Sequence, residues 1–432
     1  MSELIINGGR RLDGTLIIHG AKNGVLPILA ACYLVDGVCT LHNCPDLSDV
    51  RLCGAILRGL GGRIQRNEGV LTVDTAGAAG TCIPEAEMRE MRSSIVFLGA
   101  MLAKTGRAVL CPPGGCDLGP RPINLHLQAL TQMGARIETN QSSLICSAPD
   151  GLHGCTIRFP FSSVGATENA LIAAVTARGK TRISGAAREP EIRDLAVFLQ
   201  RCGACISGVG TDELEIEGVR RLHGTVHTIV PDRIEAATYL TAAAVTGGDV
   251  TVQKMIPAHL RPVLTRLRAS GCDLKETAQS VRLRAPRRLK AFPAVHTAPY
   301  PGFPTDAQAV LMAAAAVARG TTVFEETIFS ARFRHVPELN RMGARIQTAG
   351  TYAAVEGVPQ LHGVPVRATD LRGGAAMVLA ALCAEGTTHI SDIDHIDRGY
   401  EKIECALRQL GADIGRNAAW QKENPKIPAA VG

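Results

Sequence analysis

The residues of this chain with types suited to chemistry are far apart in sequence, and each lies in a loop or at the start of a predicted helix. Residues 111–121 read Cys-Pro-Pro-Gly-Gly-Cys-Asp-Leu-Gly-Pro-Arg. The prolines and glycines exclude helix and central strand and leave a shaped loop. Cys116 sits in it, close in sequence to Arg121. A thiol near fixed positive charge has a lowered pKa and becomes reactive; an incidental surface cysteine is the alternative. Lys22 and Asn23 follow a predicted strand (residues 15–18) and open an apolar helix (residues 26–34). Backbone N–H groups, a positive dipole end and an ammonium at one helix start favour an anion; a solvated turn lysine is the alternative. Arg92 opens the next apolar segment, residues 95–102. Thr305-Asp306 opens residues 307–318, with one of the two expected as N-cap, the ordinary role of an aspartate there. Asp370 and Arg372 open the helix around Ala375, and His395 to Arg398 precede the last amphipathic helix. Lys, Arg and Asp thus recur at equivalent helix starts, which argues for a shared site.

The elements that position these residues form one unit written six times. A Leu-x-x-x-Gly-x-x-(Ile/Leu) pattern begins at Leu57, Leu130, Leu199, Leu267, Leu339 and Leu407, at spacings of 73, 69, 68, 72 and 68 residues. A helix, a glycine just past its end and then a strand account for it. A second helix-to-strand junction recurs at Gly37, Gly106, Gly179, Gly248, Gly320 and Gly386. The Ala-rich helices before these glycines lack a polar face and are expected to be buried all round. Six units of this length group naturally into two domains of three, with the chemistry expected in the cleft between them. No Gly-x-Gly-x-x-Gly follows a strand, which excludes a dinucleotide-binding doubly wound fold.

Composition narrows the function classes. At 432 residues the chain exceeds one hydrophobic core, and 46% apolar with 20% charged residues is too apolar for disorder. The densest basic run, residues 282–290, has no aromatic partner for bases, so its charge and the net +6 fit small anionic substrates rather than nucleic acid. The start of the chain has no secretory pattern, the apolar runs are too short to cross a bilayer, and fourteen cysteines read as reduced thiols; a cytoplasmic location is expected. Cys202 and Cys205 form the only Cys-x-x-Cys, with no second pair or histidine cluster; both are expected to be buried structural thiols, and no metal site is expected.

Several spaced motifs together carry a family resemblance. They are Gly20-Ala21-Lys22-Asn23, Pro113-Gly114-Gly115-Cys116 with Arg121-Pro122, Ser163-Val164-Gly165-Ala166-Thr167, Ala187-Arg188-Glu189-Pro190-Glu191, Pro231-Asp232-Arg233-Ile234-Glu235, Phe303-Pro304-Thr305-Asp306, Ala368-Thr369-Asp370-Leu371-Arg372 and His395-Ile396-Asp397-Arg398-Gly399-Tyr400-Glu401. In this order the chain resembles the enolpyruvyl transferase family, and within it the UDP-N-acetylglucosamine 1-carboxyvinyltransferases, from about Leu4 to Ile414. The resemblance implies an α/β fold of two pseudo-threefold domains, each of three βαβαββ units, an inside-out α/β barrel with the active site in the interdomain cleft. The implied domains are 22–230, carrying the cysteine loop, and 1–21 plus 231–432. It further implies transfer of the enolpyruvyl group of phosphoenolpyruvate to the 3-hydroxyl of UDP-N-acetylglucosamine with release of phosphate. That is the first committed step of peptidoglycan synthesis, run by addition and elimination through a tetrahedral intermediate. No cofactor, nucleic acid, membrane or obligate protein partner is implied.

Residue roles follow from the same resemblance. Cys116 matches the general acid, on a loop that acts as a lid, and Asp306 matches a carboxylate at the sugar hydroxyl, the candidate base. Lys22, Arg92, Arg121 and Arg398 match a cationic cluster that clamps phosphate and carboxylate. Arg372 matches a further arginine and Asp370 a carboxylate near the thiol. Asn23, Arg121, Pro122, Ile123, Asn124, Leu125, Ser163, Val164, Gly165 and Ile328 match the nucleotide-sugar pocket. The chain departs from the family pattern at Asn124, where an aspartate is usual, and at Ser48 and Phe161, where some members carry lysine; these bear on nucleotide affinity. A paralogue acting on another nucleotide or on shikimate 3-phosphate, and a silent nucleotide-sugar sensor, are the alternatives.

Overall fold

The computed structural model describes residues 2–111, 122–139 and 143–417, with the backbone alone at Arg92. They fall into two compact units. One comprises residues 20–111 and 122–230, the other 2–19 and 231–417; they are called here the Lys22 unit and the Asp306 unit.

Three helices form the centre of each unit. In the Lys22 unit they are Lys22–Cys32, Phe97–Thr105 and Val164–Ala174. In the Asp306 unit they are Arg233–Val245, Gln308–Ala315 and Leu371–Cys383, and these three pack on one another. Their composition dictates this place. All eight residues of Gln308–Ala315 are buried, and so is every residue from Arg372 to Leu382. A helix apolar on every side cannot face water, and alanine and glycine let such helices approach closely. Leu311 and Leu379 are fully buried, so truncating either to alanine should cost about 2–5 kcal/mol.

Sheets lie outside the helices and repeat one pattern. In the Lys22 unit Val226–Thr228 runs parallel to Val38–His42, which pairs antiparallel with Val70–Asp74, itself antiparallel to Arg63–Asn67. Thr156–Arg158, Lys180–Ser184, Glu213–Glu217 and Cys205–Ser207 repeat the order. In the Asp306 unit Asp13–Ile17 joins the Asp249–Gln253 sheet in parallel, and Leu4–Asn7 lies antiparallel between Thr387–Ser391 and Asp413–Arg416. Burial alternates along the strands, as in Glu213–Glu217, where Leu214 and Ile216 point to the core.

The second helix of each repeat is amphipathic. Pro190–Arg201 buries Ile192, Leu195 and Leu199 and exposes Arg193 and Arg201. Each repeat's Leu-x-x-x-Gly glycine has a left-handed backbone: Gly61, Gly134, Gly203, Gly271, Gly343 and Gly411 have φ from 93° to 102°. A Cβ is strained there, so the glycine is what turns helix into strand.

Candidate functional site

Asp306 lies in a short 3-10 turn, Thr305–Ala307, that leads into Gln308–Ala315. Neither it nor Thr305 caps the helix: the N-cap of the turn is Pro304 and that of the helix Ala307, neither with a side-chain bond, which corrects the expected capping role. The carboxylate instead faces two guanidiniums. Arg332 Nη2 donates to Oδ1 at 2.7 Å and Arg372 Nη2 to Oδ2 at 2.8 Å. Both arginines are buried, at 2% and 4% exposure, while the Asp306 side chain keeps 26% of its surface open. Burial acts to raise its pKa, but Arg372 and Arg332 outweigh it and hold the carboxyl well below the usual carboxylate range. Among the described residues two of its four lone-pair sites are taken, which leaves room to accept a further proton donor.

Arg372 is placed by the start of its helix. Asp370 is the N-cap: its Oδ1 accepts from Arg372 N at 3.0 Å and Gly373 N at 3.1 Å. A Cβ on Gly373 would lie 2.5 Å from Thr369 Oγ1, and one on Gly374 2.7 Å from Ile396 Cγ1. Glycine there lets residues 396–400 close on the first helical turn, and the same segment carries Arg398, which is half-buried. Arg372 Nη1 also donates to Tyr400 Oη at 3.4 Å, and that hydroxyl shares a 2.8 Å bond with Thr238 Oγ1. His335 is fully buried nearby, with neither ring nitrogen hydrogen-bonded among the described residues. Burial pushes its pKa down to about 4; Asp370 opposes this and Arg332 assists it, so the ring is neutral at pH 7. Ile328 is 38% exposed, on the turn before Arg332.

In the Lys22 unit, Lys22 is the first residue of its helix and is not solvated. Its Nζ meets Asp49 Oδ2 at 2.6 Å, and both side chains are buried. Asn23 beside it is exposed. Asp49 is in the first turn of Ser48–Gly59, which begins at Ser48, one of the departures from the family pattern. Of the residues expected on the nucleotide side, Pro122 to Leu125 and Ser163 to Gly165 fall into two segments that pack together. Asn124 opens the helix Asn124–Gln132, preceded by exposed Pro122 and half-buried Ile123 and followed by buried Leu125 and His126. Ser163 caps Val164–Ala174 by accepting from Ala166 N. A Cβ on Gly165 would lie 2.9 Å from the His126 ring, so this glycine admits the histidine. Asn169, absent from the sequence reading, fixes the junction: it bonds His126 Nδ1 at 2.8 Å, accepts from Gly99 N at 2.7 Å and donates to Ile95 O at 3.1 Å. Phe161 is 62% exposed. Arg92 opens a 3-10 turn, Arg92–Val96, ahead of Phe97–Thr105.

Cys116 and Arg121, the general acid and one of the clamp residues expected from sequence, lie outside the described residues. The Cys-x-x-Cys pair divides: Cys202 is buried, but Cys205 is exposed at the end of a strand, which corrects the reading of both as buried thiols. Among the described residues no His, Cys, Asp and Glu group could hold a metal ion, and no helix is long and apolar enough to cross a membrane. Arg332 was missed because no motif around it drew notice; only its place in the fold reveals its partner.

The family model for EPSP synthase (3-phosphoshikimate 1-carboxyvinyltransferase) matches residues 6–407. UDP-N-acetylglucosamine 1-carboxyvinyltransferase 1 of Symbiobacterium thermophilum is 49% identical over 95% of this chain and 94% of its own. UDP-N-acetylglucosamine 1-carboxyvinyltransferase 2 of Caldanaerobacter subterraneus is 46% identical over 96% of this chain and 100% of its own. The crystal structure of the enolpyruvyl transferase NikO from Streptomyces tendae superposes with a TM-score of 0.87 at 26% identity, covering 96% of this chain and 98% of that one. The chain therefore belongs to the EPSP synthase family of enolpyruvyl transferases, and within it to the group of the UDP-N-acetylglucosamine 1-carboxyvinyltransferases.

Proposed function

We propose that the protein transfers the enolpyruvyl group of phosphoenolpyruvate to the 3-hydroxyl of UDP-N-acetylglucosamine and releases phosphate, as a cytoplasmic enzyme of peptidoglycan synthesis. The observation that carries the mechanism is Asp306, ionised and partly open between two buried guanidiniums. In the addition step the Cys116 thiol gives its proton to C3 of phosphoenolpyruvate, and positive charge develops at C2. The sugar hydroxyl oxygen bonds to C2 as its proton passes to Asp306. A C3 proton then passes to the Cys116 thiolate, the double bond re-forms, and the C2–O bond to phosphate breaks, the leaving phosphate taking the proton held by Asp306.

A carboxylate held this far below its usual pKa is a weak base. It accepts the hydroxyl proton only as attack on C2 acidifies that hydroxyl, or as an arriving anion draws on the same guanidiniums and lets its pKa rise. Lys22, Arg92, Arg121, Arg372 and Arg398 supply the positive charge that holds phosphate and carboxylate. Asn23, Pro122, Ile123, Asn124, Leu125, Ser163, Val164, Gly165 and Ile328 contact the nucleotide sugar, and Asp370 holds Arg372 in register. The test is phosphate release from phosphoenolpyruvate with UDP-N-acetylglucosamine as acceptor. Release only with shikimate 3-phosphate or another nucleotide, or no release above a blank, would overturn this reading.

A further inference from the structure

We propose that Glu326 is a positioning residue that ties the Asp306 base to the Ile328 side of the nucleotide-sugar pocket; this rests on the function proposed above. Glu326 is 2% exposed and both its oxygens are used. Oε2 accepts from Thr305 Oγ1 at 3.0 Å, one residue before Asp306. Oε1 accepts from Ile328 N at 2.9 Å and Phe329 N at 3.1 Å. One carboxylate therefore holds the turn that presents the base and the turn that presents Ile328.

The surroundings anchor Glu326 itself. Its backbone N–H donates to Thr351 O at 2.8 Å, and Thr327 is bonded twice to Thr297, at 2.9 and 2.6 Å. Those contacts tie the segment to the sheet formed by Thr321–Glu325 and Tyr352–Glu356. The Thr305 carbonyl, in turn, accepts from Arg332 Nε at 3.3 Å and Nη2 at 3.0 Å. Thr305 is thus fixed through its hydroxyl by Glu326 and through its carbonyl by Arg332, and Asp306 inherits that position. Turn stability alone would need only the Oε1 arm. The Oε2 arm reaches across 21 residues of sequence to the base, and a shift of even 1 Å at a reacting group is enough to cost about a hundredfold in rate.

The two arms separate in steady-state kinetics with both substrates. Thr305→Val removes the hydroxyl and keeps the shape, so kcat should fall roughly tenfold to a hundredfold with KM for UDP-N-acetylglucosamine unchanged; Thr305→Ser should restore it. Glu326→Ala loses both arms, so kcat falls and KM for the sugar nucleotide rises, while KM for phosphoenolpyruvate stays. Glu326→Gln should recover most of that loss, because the amide oxygen still accepts from Ile328 and Phe329 while the Thr305 hydroxyl turns to accept from its NH2. An active wild type with Thr305→Val at wild-type kcat, or a Glu326→Ala variant that loses only thermal stability, overturns the positioning role alone. A wild type that releases no phosphate with UDP-N-acetylglucosamine overturns the function on which it rests.

Discussion

Replacing Arg332 with glutamine should weaken the protein and move its acid limb together. The substitution removes the bond to Asp306 Oδ1 and disturbs the two bonds to the Thr305 carbonyl, leaving Arg372 as the carboxylate's remaining cation among the described residues. A hydrogen bond to a charged group contributes about 1.5–3 kcal/mol, and breaking a fully buried pair costs about 3–5 kcal/mol. Asp306 keeps 26% of its side-chain surface open, so the lower part of that span applies, about 2–3 kcal/mol. For a unit of this size each kcal/mol shifts Tm by about 2–4 °C, so calorimetry at pH 7 should show the variant melting about 4–12 °C lower. The folded Asp306 has a depressed pKa, so its stabilisation is fully present above the unfolded carboxylate value of about 3.9 and is lost as pH falls toward the folded one. The stability gap between wild type and variant should therefore hold from pH 7 to about pH 4 and narrow below it. With one guanidinium fewer the Asp306 pKa rises, so the acid limb of kcat should lie at higher pH in the variant. Equal melting temperatures at pH 7 with superimposable pH profiles would refute the assignment of Arg332 as one of the two partners that set the state of Asp306.

Asp306→Asn should reduce kcat by roughly a hundredfold or more, the usual contribution of a positioned base, with phosphate release as the readout and circular dichroism confirming the fold. A phosphonate epoxide that mimics phosphoenolpyruvate should inactivate the wild type by alkylating Cys116; equal inactivation of Cys116→Ala would contradict its role as the reactive thiol. Glu168→Gln should be more stable than wild type at pH 8 by denaturant titration. Burial, then Glu191 and Glu189, raise the Glu168 pKa, so the wild type loses stability as pH rises above the unfolded glutamate value, and the gap should close toward pH 4. Asn169→Leu removes three buried hydrogen bonds that join His126, Ile95 and Gly99; it should cost about 2–4 kcal/mol and raise KM for the sugar nucleotide, as seen by thermal melting and kinetics.

The repeating architecture was legible because it is written in residues that the backbone requires. Six glycines with nearly identical left-handed φ mark six helix-to-strand turns, and helices without a polar face could only be central. Asp370 was legible as a helix-opening residue, and it is the cap there; the capping by Ser163, read only as a pocket residue, is visible in the structure alone. The expected cap at Thr305 or Asp306 fails because long-range partners win: two buried guanidiniums, one of them 66 residues away, bind the Asp306 carboxylate more strongly than free helix N–H groups would. Of the two readings of Lys22, the solvated turn lysine fails, because the side chain is buried and paired with Asp49. Arg332, Glu326 and Asn169 left no trace in the sequence, since each acts through a contact that only the closed sheet-and-helix packing creates.

The fate of C3 of phosphoenolpyruvate distinguishes addition and elimination from other routes most directly. Turnover of phosphoenolpyruvate and UDP-N-acetylglucosamine in deuterium oxide, with the product analysed by mass spectrometry, reads that fate. Addition followed by elimination predicts deuterium in the vinyl group of the enolpyruvyl sugar nucleotide and one phosphate released per product. A product formed with no deuterium at C3 would contradict protonation at that carbon, and with it the acid-and-base assignment of Cys116 and Asp306.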